Sequence, residues 1–503
     1  MSTPPARTYR FGPLDRSGLV LGLSGRQCAA LGAGTFIAGW LLNHRAPAPL
    51  VLAPLVAGLA VAFAPVGGAP VCDVASVWGR FATRAVTRRN RWLAPIGHHG
   101  PASIDASGAV DLPPFLAGLR LIDAGPAQWT AVERLAGVGV VVDRRARTVS
   151  ATLRAHAGGF CLVDRADQER LVAGWGDALA GFCREGGPVA AVRWTEWMAP
   201  AGLGPCERFL DEHGDGTAEA LAEYRRLLAA AASTSTAHEV LITVTVDQRR
   251  VDRRGRGASD ASSTAIDALV EQLRLLARRL QAAGLTVDPP LSPAELADVI
   301  HRRFDPRAVV LHSGPASLAA AAGVTTAHRA RPLAVDVAWS HVRVDSSVHR
   351  SFWVAEWPRL DVPPNWVEPL LLHPGAVRTV SIVYEPVPPG RSRRQVDREA
   401  TKLVSDEEQR ARSGFRIGAR HRRQQEALAE REAELVAGYA ELGFAGFLTV
   451  TAADPDQLDR ACADYEQAAA QVGLDLRRLD GRHDLGLLCA LPIGRGVTAR
   501  RAS

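Results

Sequence analysis

Apolar positions are almost continuous near the start of the chain and become periodic further on. The run CAALGAGTFIAGWLL, bounded by Cys28 and Leu42, carries no charge, and after the break NHR a second uncharged run, APAPLVLAPLVAGLAVAFAPVGGAPV, continues to Val71. Two such runs so close together predict a helical hairpin across a membrane, with Cys28 and Leu42 bounding one span and Leu50 and Ala64 lying in the other. At 1.5 Å per residue the first run reaches only about 24 Å, short against a hydrocarbon core of roughly 30 Å, so Arg26 and Asn43 would have to snorkel. Pro47 and Pro49 suit a helix start, and Pro54 is tolerable where a neighbouring helix compensates for the lost donor. The alternative is a buried helical hairpin of a soluble domain.

After the second run, Val74, Val77, Trp78, Phe81 and Val86 alternate at helical spacing with Arg80, Arg84, Arg88, Arg89 and Arg91. This describes an amphipathic helix at a membrane surface. Four arginines precede the first run, one lies in the connecting loop and five follow the second. The positive-inside rule then places both ends, and the bulk of the chain from about Pro95, in the cytosol, with the hairpin in the inner membrane.

Between Leu135 and Trp197 the period shortens. GVGVVVD, the basic turn RRAR and TVSATLRA predict a β-hairpin; GFCLVD, a helical stretch from Ala166 to Cys183, and PVAAVRW predict a βαβ unit. The strand HEVLITVTVD alternates Thr with aliphatics, as a half-buried strand does. It leads to a helix whose stripe of Ile266, Leu269, Val270, Leu273, Leu276 and Leu280 reads as core, and then to LTVDPPLSPAELADVI, a strand and a Pro-started helix. GFLTVTAADPDQLDRACADYEQAAAQVGLDLRRL near the end echoes this unit. Repeated βαβ units of this length suggest ferredoxin-like α+β modules. Between the copies lie HRSFWVAEWPRLDVPPNWVEPLLL, with Trp353, Trp357 and Trp366, and a charged helical segment over 391–442 in which Arg416 and Arg420 belong to a crowded basic stretch.

The expected fold is thus a membrane protein, with an N-terminal two-helix transmembrane hairpin followed by α+β cytosolic domains built on repeated ferredoxin-like βαβ units and a helical arm. Its parts are a cytosolic tail (1–25), the hairpin (26–71), the amphipathic helix (72–94), two α+β domains (95–235 and 236–390), the arm (391–442) and a C-terminal βαβ unit (443–503).

Composition adds limits. A net charge of +6 suits an anionic membrane surface or nucleic acid and selects neither. The seven cysteines are scattered without a CxxC pair, which argues against a zinc site. Lys402 is the single lysine and has no glycine loop before it, so a P-loop cannot form, while PIGRGVTARRAS has glycines but no lysine. No GxSxG, SxxK or HExxH occurs. The acidic DEHGDGT at 211–217 lacks the ligand spacing of a calcium loop and reads as a linker. No catalytic, cofactor or metal residues are expected.

GLSGRQCAALGAG with LAVAFAPVGGAPVCDVASVWGRFATRAVTRRNRW resembles the PrgI-like proteins of conjugation and type IV secretion clusters. HRSFWVAEWPRLDVPPNWVEPLLL, VSIVYEP and the closing βαβ segment are similar to the non-motor domain of TrbE/CagE-type conjugation ATPases, and the organisation as a whole resembles the EccE subunit of type VII secretion. The resemblance implies a non-catalytic structural subunit of a secretion or conjugation apparatus, in an oligomeric assembly with other subunits and a separate motor ATPase. Arg416, Arg420, Trp353, Trp357 and Trp366 are the residues expected to dock that partner. A membrane-tethered nucleic-acid-binding protein is the competing expectation.

Overall fold

The computed structural model of the chain describes residues 9, 11, 23–66, 69–94, 112–130, 133–156, 158–200, 204–232, 236–252, 261–307, 330–412 and 419–496. Helix α1 (Gly25–Asn43) starts on a capping box: the Gln27 amide donates to the Ser24 hydroxyl, and the Ser24 amide donates to the Gln27 side chain. Helix α2 (Ala48–Phe63) begins after Pro47 and returns along α1. The two touch through small residues: Gly34 and Ala38 are buried on α1, and Gly58 and Ala62 on α2. Phe36, Trp40, Leu42, Leu50, Leu52 and Leu59 point outward and are exposed.

Among the described residues no helix is long and apolar enough to cross a membrane. α1 has 19 residues, about 28 Å, but it opens on Arg26 and Gln27 and closes on Asn43. α2 has 16 residues, about 24 Å against a hydrocarbon core of roughly 30 Å. The expected transmembrane hairpin through Cys28, Leu42, Leu50 and Ala64 is corrected accordingly, and with it the membrane-protein fold class and the two-pass inner-membrane location. What the chain forms is an α+β fold around a large antiparallel sheet.

Strand β1 (Pro65–Val66) pairs antiparallel with β2 (Ala69–Pro70) ahead of α3 (Val71–Val86), of whose apolar residues Phe81 meets protein while Trp78 and Val86 are exposed. Phe81 packs edge-on against Trp339 at 5.3 Å, and Arg84 pairs with Asp484 at 3.0 Å. Strands β3 (Arg91–Leu93) and β4 (Leu119–Asp123) come next, then the small pair β5 (Ala127–Gln128) and β6 (Arg134–Leu135). The first unit is β7 (Gly139–Asp143), β8 (Thr148–His156), α4 (Arg165–Ala180), β9 (Val189–Pro200), α5 (Gly204–His213), α6 (Ala218–Ala232), β10 (Thr236–Asp247), α7 (Gln248–Asp252), α8 (Ala261–Ala282), β11 (Thr286–Pro290) and α9 (Pro293–Phe304). After β12 (Ala334–Val337), a second unit repeats it: β13 (Val342–Val344), β14 (Ser347–Glu356), α10 (Glu368–Leu371), β15 (Val377–Pro386), α11 (Pro389–Arg412), α12 (Ala419–Val436), β16 (Leu442–Ala452), α13 (Pro455–Gln471), β17 (Asp475–Arg478) and α14 (His483–Ala490).

Among the described residues thirteen strands join in one sheet, in the order β3-β12-β13-β14-β16-β15-β9-β10-β8-β7-β4, with β11 added to β8 and β17 to β14. The order β11-β8-β10-β9 is that of a ferredoxin-like βαββαβ unit, and β17-β14-β16-β15 repeats it. The two units join edge to edge, β9 pairing antiparallel with β15 in a register that sets Trp197 opposite Thr379 and Trp194 opposite Ile382. Each unit carries a helical pair between its second and third strands, α5–α6 in the first and α11–α12 in the second.

One face of the sheet is apolar. Leu153, Ile242 and Val244 pack under α4 and α8, and Phe352, Leu448 and Val450 under α13. The stripe of α8 is the centre of the first half, with Leu269, Leu273, Leu276 and Leu280 fully buried. The other face is lined with hydroxyls, Ser150, Thr152, Thr195, Thr243, Thr245, Ser351 and Thr449, all buried beneath α9, α14 and the segment that follows. So HEVLITVTVD is buried on both sides where alternation suggested one, because hydroxyls on that face bond to protein: Thr243 with Thr152 of β8 at 2.9 Å, and Thr195 of β9 to the Leu241 carbonyl at 3.3 Å. GFCLVD likewise forms a single 3-10 turn, Phe160–Leu162, since Gly159 at φ 72° turns the chain and Asp164 caps α4.

Candidate functional site

The expected tryptophan cluster divides between the two faces of the sheet. Alternation along β14 sends Trp353 to one face, where it packs with Val383, Phe447, Leu479 and Cys489. Trp357, just past the strand end, lies over Gly446 on the other; a Cβ at Gly446 would come within 2.9 Å of the Trp357 ring and 2.8 Å of Val354. Trp366 meets Trp357 edge-on with ring centroids 6.3 Å apart, and Phe444 of β16 closes a third side at 5.1 Å from Trp357.

This three-sided aromatic cleft is filled by the chain's own beginning. Phe11 stacks on Trp357 at 5.1 Å, meets Trp366 edge-on at 5.3 Å and lies 6.1 Å from Phe444. Two residues earlier, Tyr9 forms an antiparallel bridge with Val362 through a reciprocal pair of backbone hydrogen bonds, each 3.0 Å. The sequence reading missed Phe11, Phe444 and Val362. Its one available signal was the aromatic pair at 9 and 11, an i, i+2 spacing that puts both side chains on one side of an extended segment.

Of the arm residues, Arg416 lies outside the described residues. Arg420 falls in the first turn of α12. The arm is tied at its base, where Arg431 bridges Glu399 at 2.8 Å and Glu441, and Gln425 donates to Glu407 at 2.8 Å. A cavity of about 150 Å³ separates this base from the first unit, lined by Cys183, Val387, Ser392, Leu435, Tyr439 and Glu441 among others. In the other arm Asp211 is held by Arg225 at 2.7 Å and His213 stacks on Phe209 at 4.6 Å. Among the described residues no group of three or more His, Cys, Asp or Glu could hold a metal ion.

A second feature the sequence did not disclose is a cluster of charges inside the sheet. On the apolar face Glu196 of β9 accepts from Arg378 of β15 and from His238 of β10 at 2.6 Å. On the opposite face Glu239 is surrounded by Arg303 at 2.9 Å, Arg154 at 3.1 Å and Arg302 at 3.5 Å, while Arg303 lies over the Trp197 ring at 5.0 Å. Burial pushes the Glu239 carboxyl up, but the three guanidiniums outweigh it and hold it below the ordinary carboxylate value. Burial also lowers Arg303 to about 10, against the pull of Glu239. These groups are paired with one another, and the geometry is that of a structural network joining strands.

Compared with protein-family models, the chain matches none. A comparison with curated proteins likewise gives no match.

Proposed function

We propose that the chain is a non-catalytic scaffold subunit of a secretion or conjugation apparatus, and that it docks a separate motor ATPase. The observation that carries this reading is the duplicated platform: two βαββαβ units fused through β9 and β15, each presenting a helical pair between its second and third strands. A continuous sheet is stiff, and paired helices on it offer two repeated surfaces for a partner. The arms carry exposed apolar side chains, Phe209, Tyr224 and Leu227 on one and Val404 and Val436 on the other, the kind of anchor that dominates protein interfaces. The titratable clusters of the sheet are consumed in pairing, which fits a role in holding rather than reacting. The resemblance of the stretches around Trp353, Trp357 and Trp366 to the non-motor part of conjugation ATPases supplies the choice of partner.

The test is capture of the full chain from its native cells after cross-linking. A P-loop ATPase should co-purify with the wild type, and the double change Arg416→Glu, Arg420→Glu should lower its recovery at least tenfold while the far-ultraviolet spectrum stays unchanged. Absence of any ATPase from the wild-type capture overturns the proposal. If instead the purified chain binds DNA with an affinity that falls steeply with salt, and the charge reversal flattens that slope, the nucleic-acid reading replaces it.

A further inference from the structure

The cavity at the base of the second arm draws its walls from both units. Cys183 follows α4 of the first unit, while Val387 follows β15, Ser392 lies in the first turn of α11, Leu435 in the last turn of α12, and Glu441 directly precedes β16. These walls are fixed in place. Helix α12 stops at Gly438, which takes the left-handed region without strain at φ 94°, and there the Tyr439 N–H donates back to the Glu434 carbonyl at 3.0 Å. The Glu441 carbonyl then accepts from the Val387 N–H at 3.1 Å and from the Cys183 thiol at 3.3 Å.

Two buried polar atoms of this lining have no protein partner among the described residues: the hydroxyl of Ser392, a residue 1% exposed, and Oε2 of Glu441. The other carboxylate oxygen of Glu441 accepts from Arg431, which also donates to Glu399 at 2.8 Å. Two carboxylates thus share one guanidinium, and a negative charge is left in excess beside the cavity. Buried polar atoms in native proteins are nearly always bonded, so an orphaned pair facing one space points to a third group that completes it. A carboxylate oxygen only accepts and a hydroxyl can accept, so that group brings N–H or O–H donors. Water by itself is a poor match. The cavity, about 150 Å³, has room for several molecules, each needing roughly two to four polar partners, whereas Val387 and Leu435 present carbon. A donor head on a short apolar body suits both kinds of wall.

We infer that the cavity binds a small aliphatic amine in its ammonium form, with the head donating to Glu441 Oε2 and the Ser392 hydroxyl and the carbon chain lying against Val387 and Leu435. Arg393 also reaches the cavity, but it is exposed, so solvent screens its charge. The inference stands on this cavity alone and holds whatever the arms dock. Because the walls come from both units, an occupant ties the base of the arm to the first unit. A ligand of about five non-hydrogen atoms supports a dissociation constant on the order of 1 mM.

The probe is n-butylammonium chloride, titrated by calorimetry into the purified full chain at neutral pH. The matched probes are 1-butanol, sodium butyrate and acetyl-Gly-Lys-Gly-amide, which carries the same head on a peptide. One saturable site for butylammonium is expected, with 1-butanol and the tripeptide at least tenfold weaker and butyrate not binding. Glu441→Gln, which keeps the shape and removes the charge, should weaken butylammonium at least tenfold, and Ser392→Ala roughly threefold, in proteins whose far-ultraviolet spectra match the wild type. Should Glu441→Gln not fold, the comparison of butylammonium with 1-butanol on the wild type decides by itself. No saturable binding of butylammonium overturns the inference, as does equal binding of 1-butanol or binding unchanged by Glu441→Gln, and equal binding of the tripeptide overturns the assignment to a free amine. No ATPase is present in these titrations, so their failure leaves the docking reading untouched.

Discussion

Arg378 and Glu196 form a buried ion pair across the seam between the two halves of the sheet, one on β15 and the other on β9. Arg378 is entirely shielded from solvent and also donates to the Leu371 carbonyl, so the same side chain fixes the loop before β15. Charges at this depth gain little over a well-packed apolar pair, but removing one partner strands the other.

Arg378→Met should therefore destabilise the protein by about 3–5 kcal/mol, while the double change Arg378→Met, Glu196→Met should recover most of that loss. Urea unfolding of the three proteins gives the comparison. A single change as mild as a surface substitution, within about 0.5 kcal/mol, would mean that the seam does not depend on the pair.

A buried histidine gives the stability a pH dependence. His349 is fully buried; its Nε2 faces the Phe304 carbonyl at 2.8 Å and its Nδ1 the Thr451 hydroxyl at 2.9 Å, an arrangement that fits a neutral ring with the proton on Nε2. Burial holds its pKa down at about 4, against the opposing pulls of the Phe304 carbonyl and Asp305. The folded value thus lies below the unfolded value of about 6.5, and between the two the unfolded chain binds the extra proton. Stability should fall as pH drops from about 6.5 to about 4, by up to roughly 3 kcal/mol from this group, and the group should add nothing further below that. His483, whose pKa is also lowered chiefly by burial, acts in the same direction. Subtracting the profile of His349→Gln from that of the wild type isolates the contribution, and a flat difference would exclude it.

The hairpin makes a local prediction. A Cβ on Gly58 would lie 3.3 Å from the Gly34 Cα and 3.1 Å from the Ala30 carbonyl, and one on Gly34 would lie 2.7 Å from the Pro54 carbonyl. Backbone stands against backbone there, so the contact cannot yield by turning a side chain. Gly34→Leu should part the helices and raise amide exchange in α1 and α2 at least tenfold, with the exchange of β9 and β10 unchanged. Unaltered exchange in the hairpin would show that the crossing has room.

Much of this architecture was legible in short-range pattern. The stripe of α8 from Ile266 to Leu280, the hairpin GVGVVVD-RRAR-TVSATLRA and the echo between LITVTVD and GFLTVTA all correspond to observed elements, because periodicity reports which face of an element is buried. The hairpin near residue 44 was legible as two helices but not as to length: neither described helix is long and apolar enough to cross a membrane, while Phe36, Trp40, Leu50 and Leu59 stay exposed. What pattern could not give is which strand meets which. The seam pairs residues some 180 positions apart, and Phe11 meets rings more than 340 positions away. Register fixes a face, not a partner. Nor could alternation tell a hydroxyl face turned to water from one buried under a distant segment.

That distant segment is the subject of the last prediction. Residues 491–496, which looked like a glycine-rich stretch without its lysine, cross from α14 of the second unit onto β8, β9 and β10 of the first. Arg193 of β9 receives them: its guanidinium donates to the carbonyls of Leu488 at 3.0 Å, Leu491 at 2.9 Å and Arg495 at 2.8 Å, so it caps the C-terminal end of α14 from inside the sheet. Gly494, at φ 67°, rests on Ser150 and Thr245 so closely that a Cβ would lie 2.6 Å from the Ser150 hydroxyl. Arg495 then forms a two-pronged pair with Asp143, 2.6 Å for each bond, and donates to the carbonyls of Phe115 and Ala117 at 3.0 Å. Burial raises the Asp143 pKa, but Arg495 together with the Ala146 and Arg145 backbone N–H groups outweighs it, leaving the carboxyl below its usual value. The segment is thus a staple between the units. Arg193→Met should leave the Leu491 and Arg495 carbonyls without this donor, while Leu488 keeps the Leu491 N–H, and cost about 2–4 kcal/mol, at roughly 1–3 kcal/mol per buried group with some relief by rearrangement. Gly494→Ala should cost a comparable amount through strain and crowding, by a different cause at the same place. Both changes should open the segment to limited proteolysis before the sheet unfolds, since the staple is lost while the β9–β15 seam remains. Resistance of 491–496 to protease in Arg193→Met, equal to that of the wild type, would mean that α14 and its tail are held by the apolar contacts of Leu487, Leu488 and Leu491 alone.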